Sequence, residues 1–300
     1  MNPIILGLWP IAGITSVGVT REHSLATIQT AIDAGIDMFD TAFSYGFEGE
    51  SDQLLGEVLR REQNRGRHLM VIGKVGQRWT SDRRRVVNGS PEQLIADTEV
   101  SLSRIGIERF DLLMLHSVDP DVDVEYSASG MEQLRRRGLA RRIGICNASC
   151  DQLIRFSDVA LCTAMQCPLN LLQQNSLDPL IRTASSIGAE VHAYWALMKG
   201  LLAGQIDRNH VFADGDSRPK YDIFQGEARQ HAHDVVDRLS MIADKYDMTI
   251  AKLAIGWVLS QLGVTAVLVG AKRPDQILET SQSRRLPQSI LSEVNDALNR

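Results

Sequence analysis

Only four cysteines, Cys146, Cys150, Cys162 and Cys167, occur in 300 residues. None forms a Cys-x-x-Cys pair, so no disulfide framework is expected, and a reducing, cytoplasmic setting is. No apolar run approaches the ~18 residues of a membrane helix, and the first ten residues lack the basic region of a secretory signal. Basic residues are outnumbered: 32 Lys and Arg stand against 37 Asp and Glu, a net charge of -5. That leaves no surplus to neutralise phosphates and argues against a nucleic-acid partner. No linker or low-complexity stretch divides the chain, so residues 1–300 are expected to form one domain. No Gly-x-Gly-x-x-Gly follows an apolar run, which argues against a Rossmann-type dinucleotide site.

What the chain does have is 44% apolar residues in one recurring pattern: an amphipathic helix, a glycine, then a short apolar run. The pattern recurs in AIDAGIDMFDTA, LSRIGIERFDLLMLH, RRRGLARRIGICN, SSIGAEVHAYW and LSQLGVTAVLVGA. Gly35, Gly106, Gly138, Gly188 and Gly263 fall where a helix would end in a left-handed residue. The runs after them are too short for helices and suit buried parallel strands. Eight strands are expected: Ile4–Trp9, Met38–Thr41, Leu69–Val75, Phe110–His116, Arg142–Asn147, Thr163–Pro168, Glu190–Trp195 and Thr265–Gly270. Ser90-Pro91-Glu92 marks a helix start, with an N-cap, a proline at the first position and an acid in the first turn. Eight βα units in 300 residues predict an α/β fold closed as a (β/α)8 TIM barrel rather than an open sheet. Glu227–Tyr246, Ile250–Leu262 and Ser289–Leu298 are read as extra helices in the C-terminal part.

A barrel places its chemistry at the C-terminal ends of its strands. Those ends are Trp9, Asp40, Lys74, His116, Asn147, Gln166, Tyr194 and Gly270. A buried Asp, Lys and His at one mouth is costly unless they pair, so the cluster is read as a site. Tyr45 follows Asp40 by five residues, in the loop leaving the second strand.

Asp40 in FDTAFSYG, Tyr45, Lys74 in VIGKVG and His116 in LLMLHS together resemble the catalytic tetrad of the aldo-keto reductase superfamily. LGLWPIAG, GICN, MQCPLN, AYWALMKGLLAG and VGAKRPDQILET resemble further family segments, in order along nearly the whole chain. The resemblance implies a (β/α)8 carbonyl reductase or alcohol dehydrogenase that uses NADP(H), with NAD(H) as the alternative. Aldehydes, ketones or sugars are the implied small-molecule partners, with no nucleic acid or membrane.

The chemistry can be argued separately. Hydride arriving at a carbonyl carbon leaves an alkoxide, which needs a proton donor. Phenol is a weak one, with a reference pKa of ~10. An ammonium beside it favours the phenolate, and a carboxylate keeps that ammonium charged and in place. Tyr45 is therefore assigned as acid, Lys74 as its tuner, Asp40 as the anchor of Lys74, and His116 as the group that orients the carbonyl.

The resemblance also implies a cofactor site. Asn147 and Gln166 would face the nicotinamide carboxamide and Tyr194 would stack on its ring, with Trp9 and Asp40 nearby. Backbone at Leu197, Lys199, Gly200 and Leu201 would cradle the pyrophosphate. Gly270, Lys272, Arg273, Gln276 and Glu279 would hold the adenosine half, and Arg218 would close over it. The chain departs from the family at Trp195 and Ala196, beside the stacking tyrosine, where Ser and Pro are usual. It also departs at Cys146 for Ser, Gln205 for Lys and Thr280 for Asn, and much of the N-terminal hairpin that plugs the family's barrel is not expected here.

Two rivals share the same residues: a nicotinamide-sensing regulatory subunit with little turnover, and a Schiff-base aldolase using Lys74. The complete tetrad favours the reductase. Several other patterns are set aside. The acids of Asp119–Glu125 lack the glycine and distal Glu of a calcium loop. His231 and His233 point to different helix faces, so no metal is expected. The runs Arg83–Arg85 and Arg135–Arg137 read as solvated, and Asn88-Gly-Ser is a sequon without a sign of secretion.

Overall fold

The computed structural model describes residues 2–14, 17–63 and 65–298. Met1, Asn299 and Arg300, at the ends of the span expected as one domain, lie outside them. Among the described residues ten strands form: β1 Ile4–Gly7, β2 Met38–Asp40, β3 Met70–Val75, β4 Gln77–Trp79, β5 Arg85–Val87, β6 Phe110–Leu115, β7 Ala140–Cys146, β8 Cys162–Pro168, β9 Glu190–Tyr194 and β10 Val264–Gly270. Eight of them, the eight expected, close into a parallel barrel in the order β1-β10-β9-β8-β7-β6-β3-β2.

Side chains alternate across each strand, so one residue in two points into the barrel. Ile5, Met38, Ile72, Leu112, Met114, Ala164, Ala266 and Leu268 make up the apolar filling of the interior. Their neighbours Leu6, Phe39, Val71, Leu113, Met165 and Val267 face outward into a separate core shared with the helices. Continuing the inward series by two residues reaches Gly7, Asp40, Lys74, His116, Cys146, Gln166 and Gly270. Convergence of the site is therefore a consequence of period two on strands held in register. Gly7 pairs with both Asp40 and Gly270, and Cys146 pairs with Gln166. One close approach requires glycine: a Cβ on Gly144 would lie 2.2 Å from the Ala164 carbonyl oxygen of the neighbouring strand.

The five glycines expected to end helices all have left-handed φ, between 74° and 90°. Ser90 stands at the N-cap of helix Pro91–Ile105, although its side chain makes no capping bond. The C-terminal helices occupy Gly226–Lys245, Ile250–Ser260 and Gln288–Leu298. Only the first and last decorate the barrel. Helix Ile250–Ser260 is the crossover into β10, which explains why it is buried on nearly every side.

The expected strand ends are each within two residues of the observed ones, and two of the shifts fall at the site. Trp9 has left β1 and sits in a single 3-10 turn, Trp9–Ala12. Trp195 follows β9 with φ 61°, a left-handed conformation that is uncommon for an aromatic residue. The antiparallel hairpin of β4 and β5, with Trp79 opposite Arg85, was not expected at all.

Candidate active site

The barrel mouth opens into a cavity of about 680 Å³. Its deepest polar group is an ion pair between Lys74 Nζ and Asp40 Oδ1, both almost fully buried. Lys74 Nζ also donates to the Thr41 carbonyl at 3.1 Å and lies 4.6 Å from the Tyr45 ring centroid. Gln166 Nε2 donates to the second Asp40 oxygen at 2.8 Å. Asp40 thus has both oxygens engaged, which compensates its burial.

Electrostatics sort the ionisable groups into clear states. Burial pulls the Lys74 pKa down, but the Asp40 charge opposes it and leaves the ammonium more firmly protonated than usual. Burial pushes the Tyr45 phenol up to about 12, against the pull of Lys74. Burial, with the charges of Lys74 and Arg85, holds His116 well below its ordinary value, so its imidazole is neutral at neutral pH. Tyr45 packs edge-on between Trp9, at 5.0 Å between centroids, and His116, at 5.7 Å.

Behind this pair stands a buried frame that the sequence did not reveal. Asp52 accepts from Thr41 Oγ1 at 2.6 Å and from Ser101 Oγ at 2.5 Å, and the Thr41 carbonyl is the one that holds Lys74. Burial pushes the Asp52 carboxyl up to about 6, opposed by those two hydrogen bonds. Its folded pKa lies above the unfolded one, so its contribution is full below about pH 4 and is lost as pH rises through about 6. The stability difference between the parent and Asp52→Asn should shift against the parent by roughly 2–3 kcal/mol between pH 4 and 7. Urea unfolding of both proteins at the two pH values measures this, and parallel pH profiles would refute it.

Every residue assigned to the site from sequence lines this cavity except Leu201, which is fully buried in the outer core. The cofactor assignments differ in how free their groups are. Asn147, at φ 57°, donates to the His116 carbonyl at 2.9 Å and accepts from Tyr194 Oη at 2.5 Å. The Gly200 amide is committed to the Leu197 carbonyl at 2.9 Å inside a strained turn where Met198, Lys199 and Gly200 all have positive φ. Arg218 lies against Gly200 and is held in a bidentate pair by Asp216. Gln276 Oε1 accepts from the Lys272 amide at 2.9 Å. Gly270 leaves room for Pro10, whose Cγ would lie 2.6 Å from a Cβ placed there.

Several lining residues were missed. Gln77 and Arg85 come from the unexpected hairpin, and Tyr221 and His210 from the long loop after β9. Arg85 belongs to the run read as solvated; its guanidinium instead lies between the rings of Trp9 and Trp79. Arg135 and Arg136 do pair with Glu132 on the surface, and Arg137 with Glu99. Asp119, in the acidic loop, caps the Gly89 amide at 2.9 Å. Among the described residues no cluster of three His, Cys, Asp or Glu is placed to hold a metal ion, and no helix is long and apolar enough to cross a membrane.

The residues fit a nicotinamide cofactor on one specific ground. Gln166 Oε1 and His116 Nδ1 are buried at the mouth without a hydrogen-bond partner, and such groups are costly unless a ligand satisfies them.

Comparison with known proteins is consistent along the whole chain. The family model described as the aldo/keto reductase family matches residues 3–299. The aldo-keto reductase YhdN of Bacillus subtilis (strain 168) is 29% identical over 278 residues, which cover 92% of this chain and 83% of that protein. An NADH-specific methylglyoxal reductase of Escherichia coli (strain K12) is 29% identical over 320 residues, covering 98% of this chain and 95% of its own. Among solved structures, the glycerol dehydrogenase AKR11B4 from Gluconobacter oxydans aligns with a TM-score of 0.90 at 29% identity, over 99% of this chain and 91% of that one.

Proposed function

The chain belongs to the aldo/keto reductase family, oxidoreductases of carbonyl compounds, and from that premise we propose that it reduces aldehydes, ketones or sugars with NADP(H), using Tyr45 as proton donor. The observation that carries this reading is the buried Asp40–Lys74 pair with its ammonium against the Tyr45 ring. A phenol pushed up to about 12 keeps its proton on Oη through the neutral range and is poised to give it to a nascent alkoxide. Lys74 limits how weak that acid becomes. Asp40 and the Thr41 carbonyl fix the lysine, and neutral His116 orients the carbonyl oxygen by hydrogen bonding rather than by charge.

A bound nicotinamide would supply the hydride. Gln166, through its free Oε1, and Asn147 would hold the carboxamide end and Tyr194 the ring face. The turn from Trp195 and Ala196 through Leu197 to Leu201, with Arg218 over it, would follow the pyrophosphate. Gly270, Lys272, Arg273, Gln276 and Glu279 would take the adenosine half. NAD(H) is the second choice of cofactor, and one relative bears an NADH-specific name.

The aldolase reading fares worse on chemistry. A Schiff-base lysine must offer a neutral amine, whereas Asp40 keeps Lys74 protonated. The regulatory reading uses the same cavity and differs in turnover alone. The strands from Ile4 to Gly270 contribute to one barrel, which supports a single domain over residues 1–300. The four cysteines are free, which fits the cytoplasm. A panel of carbonyls and alcohols with NADPH and NADH is the test, run beside borohydride trapping. Turnover without a trapped lysine is expected. Tight cofactor binding with no turnover across the panel would favour the regulatory subunit, and a trapped Lys74 adduct the aldolase.

A further inference from the structure

We propose that Arg85 recognises a negatively charged group on the substrate, so that the preferred substrates are carbonyl compounds bearing a carboxylate or phosphate. This rests on the oxidoreductase reading above and adds the substrate class to it.

Arg85 is held in place by its hairpin and its neighbours. A turn closed by Thr80 and Arg84 brings β5 back along β4 and sets Arg85 opposite Trp79. The guanidinium carbon then lies 4.8 Å from the Trp9 ring centroid and 4.7 Å from that of Trp79. Trp79 is itself fixed, because its Nε1 donates to the Ser44 carbonyl at 2.9 Å, one residue before Tyr45. With two indoles this close, the N–H edge turned away from the rings is the direction left for hydrogen bonds. Among the described residues no carboxylate pairs with that edge, and none figures among the charges acting on Arg85.

Three of the five other Lys and Arg side chains lining the cavity differ in this respect. Lys74 is paired with Asp40, Arg218 with Asp216 and Arg273 with Asp275. Lys199 and Lys272 belong to the two segments assigned to the cofactor. Arg85 stands at the opposite, reacting end: the Trp9 ring that it lies against also packs edge-on with Tyr45, and its charge reaches His116. The chain as a whole carries a net charge of -5, yet six cationic side chains and two acidic ones line this cavity. A preorganised, unpaired guanidinium there attracts an anion and binds it in a forked geometry. A short-chain substrate whose carbonyl sits at Tyr45 would bring an anionic end to Arg85, one indole away.

The test compares matched substrates: 4-oxobutanoate against 4-oxobutanamide, and glyceraldehyde 3-phosphate against glyceraldehyde. The parent should favour the charged member of at least one pair in kcat/KM by about 10- to 150-fold, the usual worth of a hydrogen bond to a charged group. The pair that shows the preference identifies carboxylate or phosphate as the group read. Arg85→Gln should erase most of that ratio through KM, with kcat moving less, and Arg85→Lys should restore part of it. Circular dichroism and cofactor fluorescence quenching verify that each variant keeps its fold and cofactor site. If the parent shows no preference for charge, or if the ratio survives in Arg85→Gln, the assignment is overturned. If no carbonyl of either kind is reduced, the oxidoreductase reading has failed, and this proposal falls with it.

Discussion

Tyr45→Phe is expected to lower turnover by about 10²–10⁴-fold, the contribution typical of a positioned general acid. The substitution isolates the hydroxyl, since phenylalanine keeps the ring that packs on Trp9 and His116 and lies beneath the Lys74 ammonium. A proton transfer made in the transition state should cost kcat and kcat/KM alike, while cofactor affinity holds. The parent's pH profile provides an independent check. Burial keeps the phenol protonated up to about 12 and keeps His116 neutral, so neither group titrates between about pH 6 and 9 and the rate of carbonyl reduction should be flat there. A variant retaining more than roughly a tenth of the parent rate would end Tyr45's assignment as the acid. A break near the ordinary histidine value of about 6.5 that persists in Asp52→Asn would show that His116 ionises during turnover, since Asp52 itself titrates at about 6.

The residues of this site divide by how far apart in sequence their determinants lie. Asp40, Lys74, His116 and Gln166 were legible because each lies at or next to the C-terminal end of a strand whose apolar run and period are local. Tyr45 was legible only from its company with them. Arg85 was not, because three consecutive arginines beside short runs such as QRW and RVV read as a solvated loop. Only the stacking against Trp9, about seventy-five residues earlier, gives that hairpin its meaning. Asp52 was hidden for a similar reason. It sits in the first turn of helix Glu50–Gln63, where an acid is ordinary, and its burial comes from Ser101 on another helix. Leu201 and the helix Ile250–Ser260 show the opposite failure: an apolar pattern establishes burial but not against which partner.

Cofactor choice turns on the same distinction between a residue's presence and its freedom. Lys272 and Arg273 are adjacent and look equivalent in sequence as partners for a 2′-phosphate, which brings roughly two negative charges. Their surroundings separate them. Arg273 is half exposed and already forked onto Asp275, at 3.0 and 3.1 Å, so binding phosphate would mean giving up a partner. Lys272 makes no side-chain ion pair among the described residues. Burial lowers its pKa, and the neighbouring Arg218 charge lowers it further, so an arriving phosphate would relieve its environment. NADPH should therefore bind more tightly than NADH, and Lys272→Ala should weaken NADPH by about 10- to 150-fold while barely touching NADH. Arg273→Ala should have the smaller effect of the two, because Arg273 can take the phosphate only by giving up Asp275. Dissociation constants for both cofactors, measured on the parent and the two variants, decide the matter. NADH binding as tightly as NADPH in the parent would exclude a phosphate-reading segment at this position. A larger loss from Arg273→Ala would mean that Asp275 releases the guanidinium when the cofactor arrives.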